Sequence, residues 1–205
     1  MDNIIKLYSE LRGIAERNGS KLAQELAISP NEAPLDFFAM VHNDITLTTE
    51  LLIYYNRCRG SIKILPETEG IPKDENGERL VRIQKWAFIS IMSSFEVTAK
   101  KIALKETSTF GAFKGRPYLK KIMQRSFDKG LISQENLHLW KGAIELRNLL
   151  VHNNGISEKT ACYEYPEVTI QINSDRETQG SLISLGLLIK WLLNETKIWI
   201  LDTRK

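Results

Sequence analysis

The chain is short of the residues that most simply announce a function. It has two cysteines, Cys58 and Cys162, far apart and not in a CxxC pair, and three histidines, His42, His138 and His152. No zinc-ligand spacing can be assembled from that set, so neither a metal nor a cofactor is expected. No segment approaches the roughly 20 apolar residues of a membrane span. The longest, SLISLGLLIKWLL, is broken by Lys190. The N-terminus, MDNIIKLYSE, lacks a charged start followed by an apolar run and is not expected to be a signal peptide. A soluble protein in the reducing cytoplasm, without a membrane partner, follows as the expectation. Neither sign of charge dominates. The formal net charge of +3 is compatible with RNA but falls short of the basic stripe that would argue for nucleic acid unaided. Gly-rich phosphate loops, a GxSxG elbow and HExxH are all missing, and TFGAFKG ends without the lysine-serine pair of a phosphate loop. There is no internal repeat and no low-complexity tract.

What is present is helical patterning. Of 205 residues, 42% are hydrophobic and 26% charged, enough to bury the core of one domain with an accessory piece. Apolar residues recur at helical spacing nearly everywhere. The spacing predicts a first helix over 3–27, interrupted near Asn18–Gly19, then a break at ISPNEAP where Pro30 and Pro34 end one helix and start another. A second helix is expected over 35–57, and residues 59–77, RGSIKILPETEGIPKDENG, read as a loop with a short extended piece at 62–65. Over 78–105, Phe88, Met92, Phe95, Ala99 and Ile102 form a core stripe, with Glu96 on its edge. A loop and a shorter helix over 117–128 follow, with Pro117 at its start and Gly130 as its stop. Ser133 opens the next helix. The run 162–173, CYEYPEVTIQIN, alternates through Val168, Ile170 and Ile172 and reads as one strand. A last helix covers 181–201. The fold expected is all-α: an up-and-down helical bundle with a small β excursion before the last helix. Residues 1–30 form an N-terminal accessory helix region and 31–205 the bundle domain.

The stretch ELRNLLVHNNGIS, residues 145–157, departs from routine helix. It places Arg147, Asn148 and His152 at the end of an amphipathic helix, ahead of two asparagines and a glycine. With Leu139 at zero on the helical wheel, Ala143, Leu146 and Leu150 fall within about 40° and face the bundle core. Trp140, Ile144 and Val151 cluster near 100–140°, Arg147 lies beside them near 80°, and Asn148 and His152 point away near 180–220°. The helix therefore has two apolar faces. The second suits either a partner surface, most simply a second copy of the chain, or a second layer of the same bundle. Arginine offers a permanently charged fork for phosphate oxygens. Histidine titrates near neutrality and can take a proton from a ribose 2′-OH or give one to a leaving 5′ oxygen. Asn148, one turn before His152, can hydrogen-bond the imidazole or the phosphate. A plain helix stop with charged residues facing water is the competing reading.

The segment RNLLVHNNG resembles the motif of the HEPN superfamily (higher eukaryotes and prokaryotes nucleotide-binding). That motif is an arginine, a polar residue and, after four to six intervening residues, a histidine near the end of a bundle helix. Arg147, Asn148 and His152 match it, and SIMSSFEVTAKKI is similar to an earlier bundle helix of such proteins, with Glu96 at the acidic position. The resemblance covers residues 80–201. It implies a metal-independent endoribonuclease acting on RNA as a homodimer and leaving a 2′,3′-cyclic phosphate and a 5′-hydroxyl. Arg147, Asn148 and His152 would be its catalytic residues and Glu96 a supporting one. It further implies a toxin or phage-defence role, with an antitoxin or defence protein as partner. Asn154 stands where some toxin members have a tyrosine. The alternative within the same resemblance is a non-catalytic helical module that dimerises or binds RNA or a partner.

Overall fold

The structure, a computed structural model, describes residues 2–58, 75–152, 157–174, 181 and 183–204. The loop expected over 59–77, with its extended piece, lies for the most part outside those residues. Seven helices and one hairpin are seen among them: α1 (Asp2–Leu26), α2 (Ala33–Cys58), α3 (Glu75–Lys105), α4 (Thr107–Phe110), α5 (Leu119–Asp128), α6 (Gln134–His152), β1 (Ala161–Tyr165), β2 (Val168–Ile172) and α7 (Ser184–Asp202). The architecture is an all-α bundle with a small β excursion before the last helix. No helix among the described residues is long and apolar enough to cross a membrane.

Three local outcomes differ from the sequence reading. α1 runs unbroken through Asn18–Gly19, because tertiary contacts reward the helix there. The Asn18 side chain donates to the carbonyl of Leu193 on α7 at 3.2 Å, and a Cβ on Gly19 would meet Phe38 Cβ at 3.1 Å, so the missing side chain lets α1 and α2 approach closely. The expected single strand is instead an antiparallel hairpin that turns at Pro166–Glu167, with Tyr163 opposite Ile170 and Tyr165 opposite Val168. A short helix, α4, occupies part of what reads as loop.

The core explains the rest. Phe95 of α3 stacks on Trp140 of α6 at 4.6 Å and meets Trp199 of α7 edge-on at 5.6 Å and Phe37 of α2 at 6.0 Å. Trp140 also contacts Trp191 of α7 at 5.0 Å. Such offset and edge-to-face pairs add to the burial of large aromatic area. Four helices are thus pinned at one aromatic centre. α1 joins the same core through Tyr8, Leu11 and Leu22, all fully buried.

The hairpin caps one flank of the bundle. Tyr163, Tyr165, Ile170 and Ile172 are its buried members, one per two residues on each strand, as a two-sided pleat requires. Tyr165 donates its hydroxyl to the carbonyl of Leu139 on α6 at 2.9 Å. Gly142 is the counterpart on α6: a Cβ there would lie 2.5 Å from the Tyr163 ring. Helix ends follow local rules. Gly130, at φ +72°, terminates α5 in the left-handed region that glycine adopts without penalty, and Leu131 N–H donates back to Ser126 O at 2.9 Å. Ser133 Oγ accepts the N–H of Asn136 at 3.0 Å, capping α6.

Candidate functional site

α6 carries the motif, and its burial decides which motif residues face outward. Leu139, Trp140, Ala143, Leu146 and Leu149 are buried. The second apolar face therefore divides. Trp140 is wholly buried in the protein's own aromatic core, which removes it from any partner surface. The physical reason is the neighbouring layer: α3 and α7 both reach around to cover it. Ile144 is half-buried and Val151 is 43% exposed, so only the C-terminal end of that face is open.

Arg147 sits on the flank of α6 facing α3, with its side chain 26% exposed. Three groups hold its guanidinium. One terminal nitrogen donates to Asn148 Oδ1 at 3.0 Å. The other donates to Ser93 Oγ at 3.4 Å and lies 3.7 Å from Glu96 Oε2. Ser93 and Glu96 are three apart on α3, hence on one face, and Ser93 is tied back to the carbonyl of Ile89 at 2.7 Å. Glu96 is shared, since its other oxygen pairs with Lys100 at 2.7 Å. That closer contact makes Lys100 its stronger partner and leaves Arg147 with charge to offer. The structure thus brings Arg147, Asn148 and Glu96 together, and adds Ser93.

His152 is placed differently. It is exposed at the last position of α6 and no hydrogen bond or ion pair joins it to Arg147 among the described residues. The two residues open onto adjoining hollows. The first, of about 190 Å³, is lined by Arg147, Glu96, Asn148, Tyr118 and Lys120 among others. The second, of about 550 Å³, is lined by His152, Lys120, Lys141, Lys159 and Tyr163 among others. Asn148, Ile144 and Lys120 belong to both, so Asn148 forms part of the wall between them. In the second hollow Tyr163 donates its hydroxyl to Glu145 Oε2 at 2.6 Å. Burial, and then that bond, push the Tyr163 phenol well above its ordinary value.

Several lining residues have no counterpart in the motif. Ser93, which meets Arg147 without lining either hollow, shows its role only once α3 is set against α6. Lys120, on α5, and Lys159, after the 153–156 segment, come to the site only through packing and carry no signal in the sequence. The remaining histidines line neither hollow: His42 is half-buried on α2, and His138 is exposed on α6 with its ring 4.9 Å from that of Tyr163. Comparison with protein-family models, with curated proteins and with solved structures finds no match to the chain.

Proposed function

We propose that this protein is a metal-independent endoribonuclease. A ribose 2′-OH attacks the adjacent phosphorus, the P–O5′ bond breaks, and a 2′,3′-cyclic phosphate and a 5′-hydroxyl are left. The observation that supports this best is the held arginine. Asn148, Ser93 and Glu96 fix the Arg147 guanidinium at the wall of a hollow, and a pre-oriented fork stabilises charge building on a phosphate without reorganising at the moment of reaction. His152, exposed one turn beyond Asn148, supplies the group that moves the proton, from O2′ or to O5′. Glu96 positions Arg147 rather than meeting RNA.

Arg147 and His152 of one chain open onto different hollows, which supports a pair of chains as the active unit, facing each other through Val151 and Ile144. A toxin or phage-defence role is the setting that the HEPN resemblance suggests for such an enzyme. The same separation is the one observation favouring a second reading, in which the chain binds RNA or a partner without cutting it.

The test is incubation of the protein with unstructured RNA in excess chelator, with analysis of product ends. Cleavage is expected to survive chelation and to leave cyclic phosphate ends. His152→Ala should slow it by about 10²–10⁴ without altering the fold, since that residue is exposed. Arg147→Ala should cripple it as well, and Asn148→Ala should do less. Cleavage that requires added metal, or a His152→Ala variant as fast as wild type, would end this reading. Binding without cleavage would select the second.

A further inference from the structure

Lys120, Lys141 and Lys159 come from three separate parts of the chain: the first turn of α5, the middle of α6 and the approach to β1. All three line the hollow that also holds His152. None has a carboxylate within 4.0 Å among the described residues, whereas Lys100, Lys101, Lys105 and Lys197 each have one and Lys190 has two. Among the described residues the carboxylate lining that hollow is that of Glu145, which accepts the hydroxyl of Tyr163. Folding has thus placed three lysines without a carboxylate partner around one concavity beside Arg147, a lining suited to an anion. Lys120 lines both hollows. At the rim of the Arg147 hollow stands Tyr118, 60% exposed, a ring with a face free to receive a base.

Resting on the reading of the Arg147 hollow as an RNA site, we propose that the lysine-lined hollow is a second phosphate subsite. Lys120, Lys141 and Lys159 hold the phosphate next to the reacting one, and Tyr118 stacks on an unpaired base. A duplex keeps its bases stacked on one another and unavailable to a side chain, while single strands and loops splay them out onto aromatic rings.

The experiment measures binding of a fluorescent unstructured oligoribonucleotide by anisotropy, over a series of salt concentrations, in a His152→Ala background so that the probe survives. Lys120→Gln/Lys141→Gln/Lys159→Gln should weaken binding by about tenfold or more and flatten the slope of log K against log salt by about 2, three contacts at roughly 0.7 each. Tyr118→Leu should weaken it by about fivefold or more with the slope unchanged, because stacking releases no counterions. The same RNA annealed to its complement should bind more weakly and be insensitive to Tyr118→Leu. A charge-matched control, Lys6→Gln/Arg12→Gln/Lys21→Gln on the exposed side of α1, should leave affinity near that of the parent. Lysine variants that keep both affinity and slope, or a control that weakens binding equally, overturn the subsite. Duplex binding that is as sensitive to Tyr118→Leu as single-strand binding overturns the stacking on an unpaired base. If the protein with His152 intact cleaves RNA while the lysine variants bind unchanged, the subsite fails and the cleavage reading survives. If it does not cleave but the lysine variants lose binding, the reverse holds.

Discussion

Tyr8 carries a hydroxyl into a fully buried position, and that oxygen has no hydrogen-bond partner among the described residues. Burial pushes its phenol far above the ordinary value, as expected where nothing stabilises the charged form. An unsatisfied buried polar group costs about 1–3 kcal/mol, while the ring itself packs against α7 beside Gly186. Tyr8→Phe should therefore stabilise the protein by about 1 kcal/mol, raising Tm by about 2–4 °C for a chain of this size. A lowered Tm would mean that the hydroxyl is satisfied after all. Arg147 is the contrasting residue. Its charge is half-sheltered but held by three neighbours, and its cost is offset by ion pairing and hydrogen bonds. Of these neighbours, Asn148 and Glu96 are legible from spacing and stripe position, whereas Ser93 required the register of α3 against α6.

Among the elements, α6 and the hairpin depend on each other most directly. α6 reads from sequence as a helix with a core stripe, and it is one. What the sequence left open is its second face, because a wheel gives the direction of Trp140 but not what lies in that direction. The hairpin shows a different failure. Tyr163 and Tyr165 fall on odd positions and Val168, Ile170 and Ile172 on even ones, so the alternation slips by one across Pro166–Glu167, and reading the run as one strand passes over that break. Gly142→Ala tests the coupling of these elements. On helix propensity alone the change should gain up to about 1 kcal/mol. The new Cβ would, however, lie 2.5 Å from the Tyr163 ring and 2.8 Å from the Tyr165 hydroxyl, and overpacking of this kind costs about 1–3 kcal/mol. The expected net result is a lower Tm with faster hydrogen exchange in β1 and β2. A higher Tm would show that the hairpin can shift without penalty.

For the whole molecule, the question is how many chains make one site. If Arg147 and His152 act across two chains, mixing Arg147→Ala with His152→Ala protein should restore cleavage, since a mixed pair holds one complete site. Two inactive proteins that stay inactive after mixing, at concentrations where sedimentation shows pairs, would place the site within one chain. A second prediction concerns the tie between the chain's end and its middle. Arg204 and Lys105 both reach Glu32 Oε2, at 3.1 and 3.2 Å. The hydrogen bond from Arg204, then that from Lys105, holds the Glu32 carboxyl below its ordinary value of 4.5. A carboxyl depressed on folding contributes stability that is fully present above its ordinary value and is lost as pH falls through the depressed one. Glu32→Gln should thus lower Tm by a constant amount at neutral pH, and the gap from wild type should close in acid below about pH 4.5. A gap that persists in acid would assign the loss to packing instead.

The helices were legible because helix formation answers to a local period: the stripe Phe88, Met92, Phe95, Ala99 and Ile102 is buried throughout, and Gly130 and Ser133 mark the ends where backbone geometry demands them. The residues of the candidate site at 145–152 were legible for the same reason, being close in sequence and fixed on one helix. Which neighbours those residues meet could not be read this way. Asn18 reaching Leu193, Phe95 covering Trp140, and Lys120 and Lys159 converging on the hollow of His152 are contacts between segments far apart in the chain. They are decided by how whole helices fill the core at one aromatic centre, and no period within a single segment encodes that.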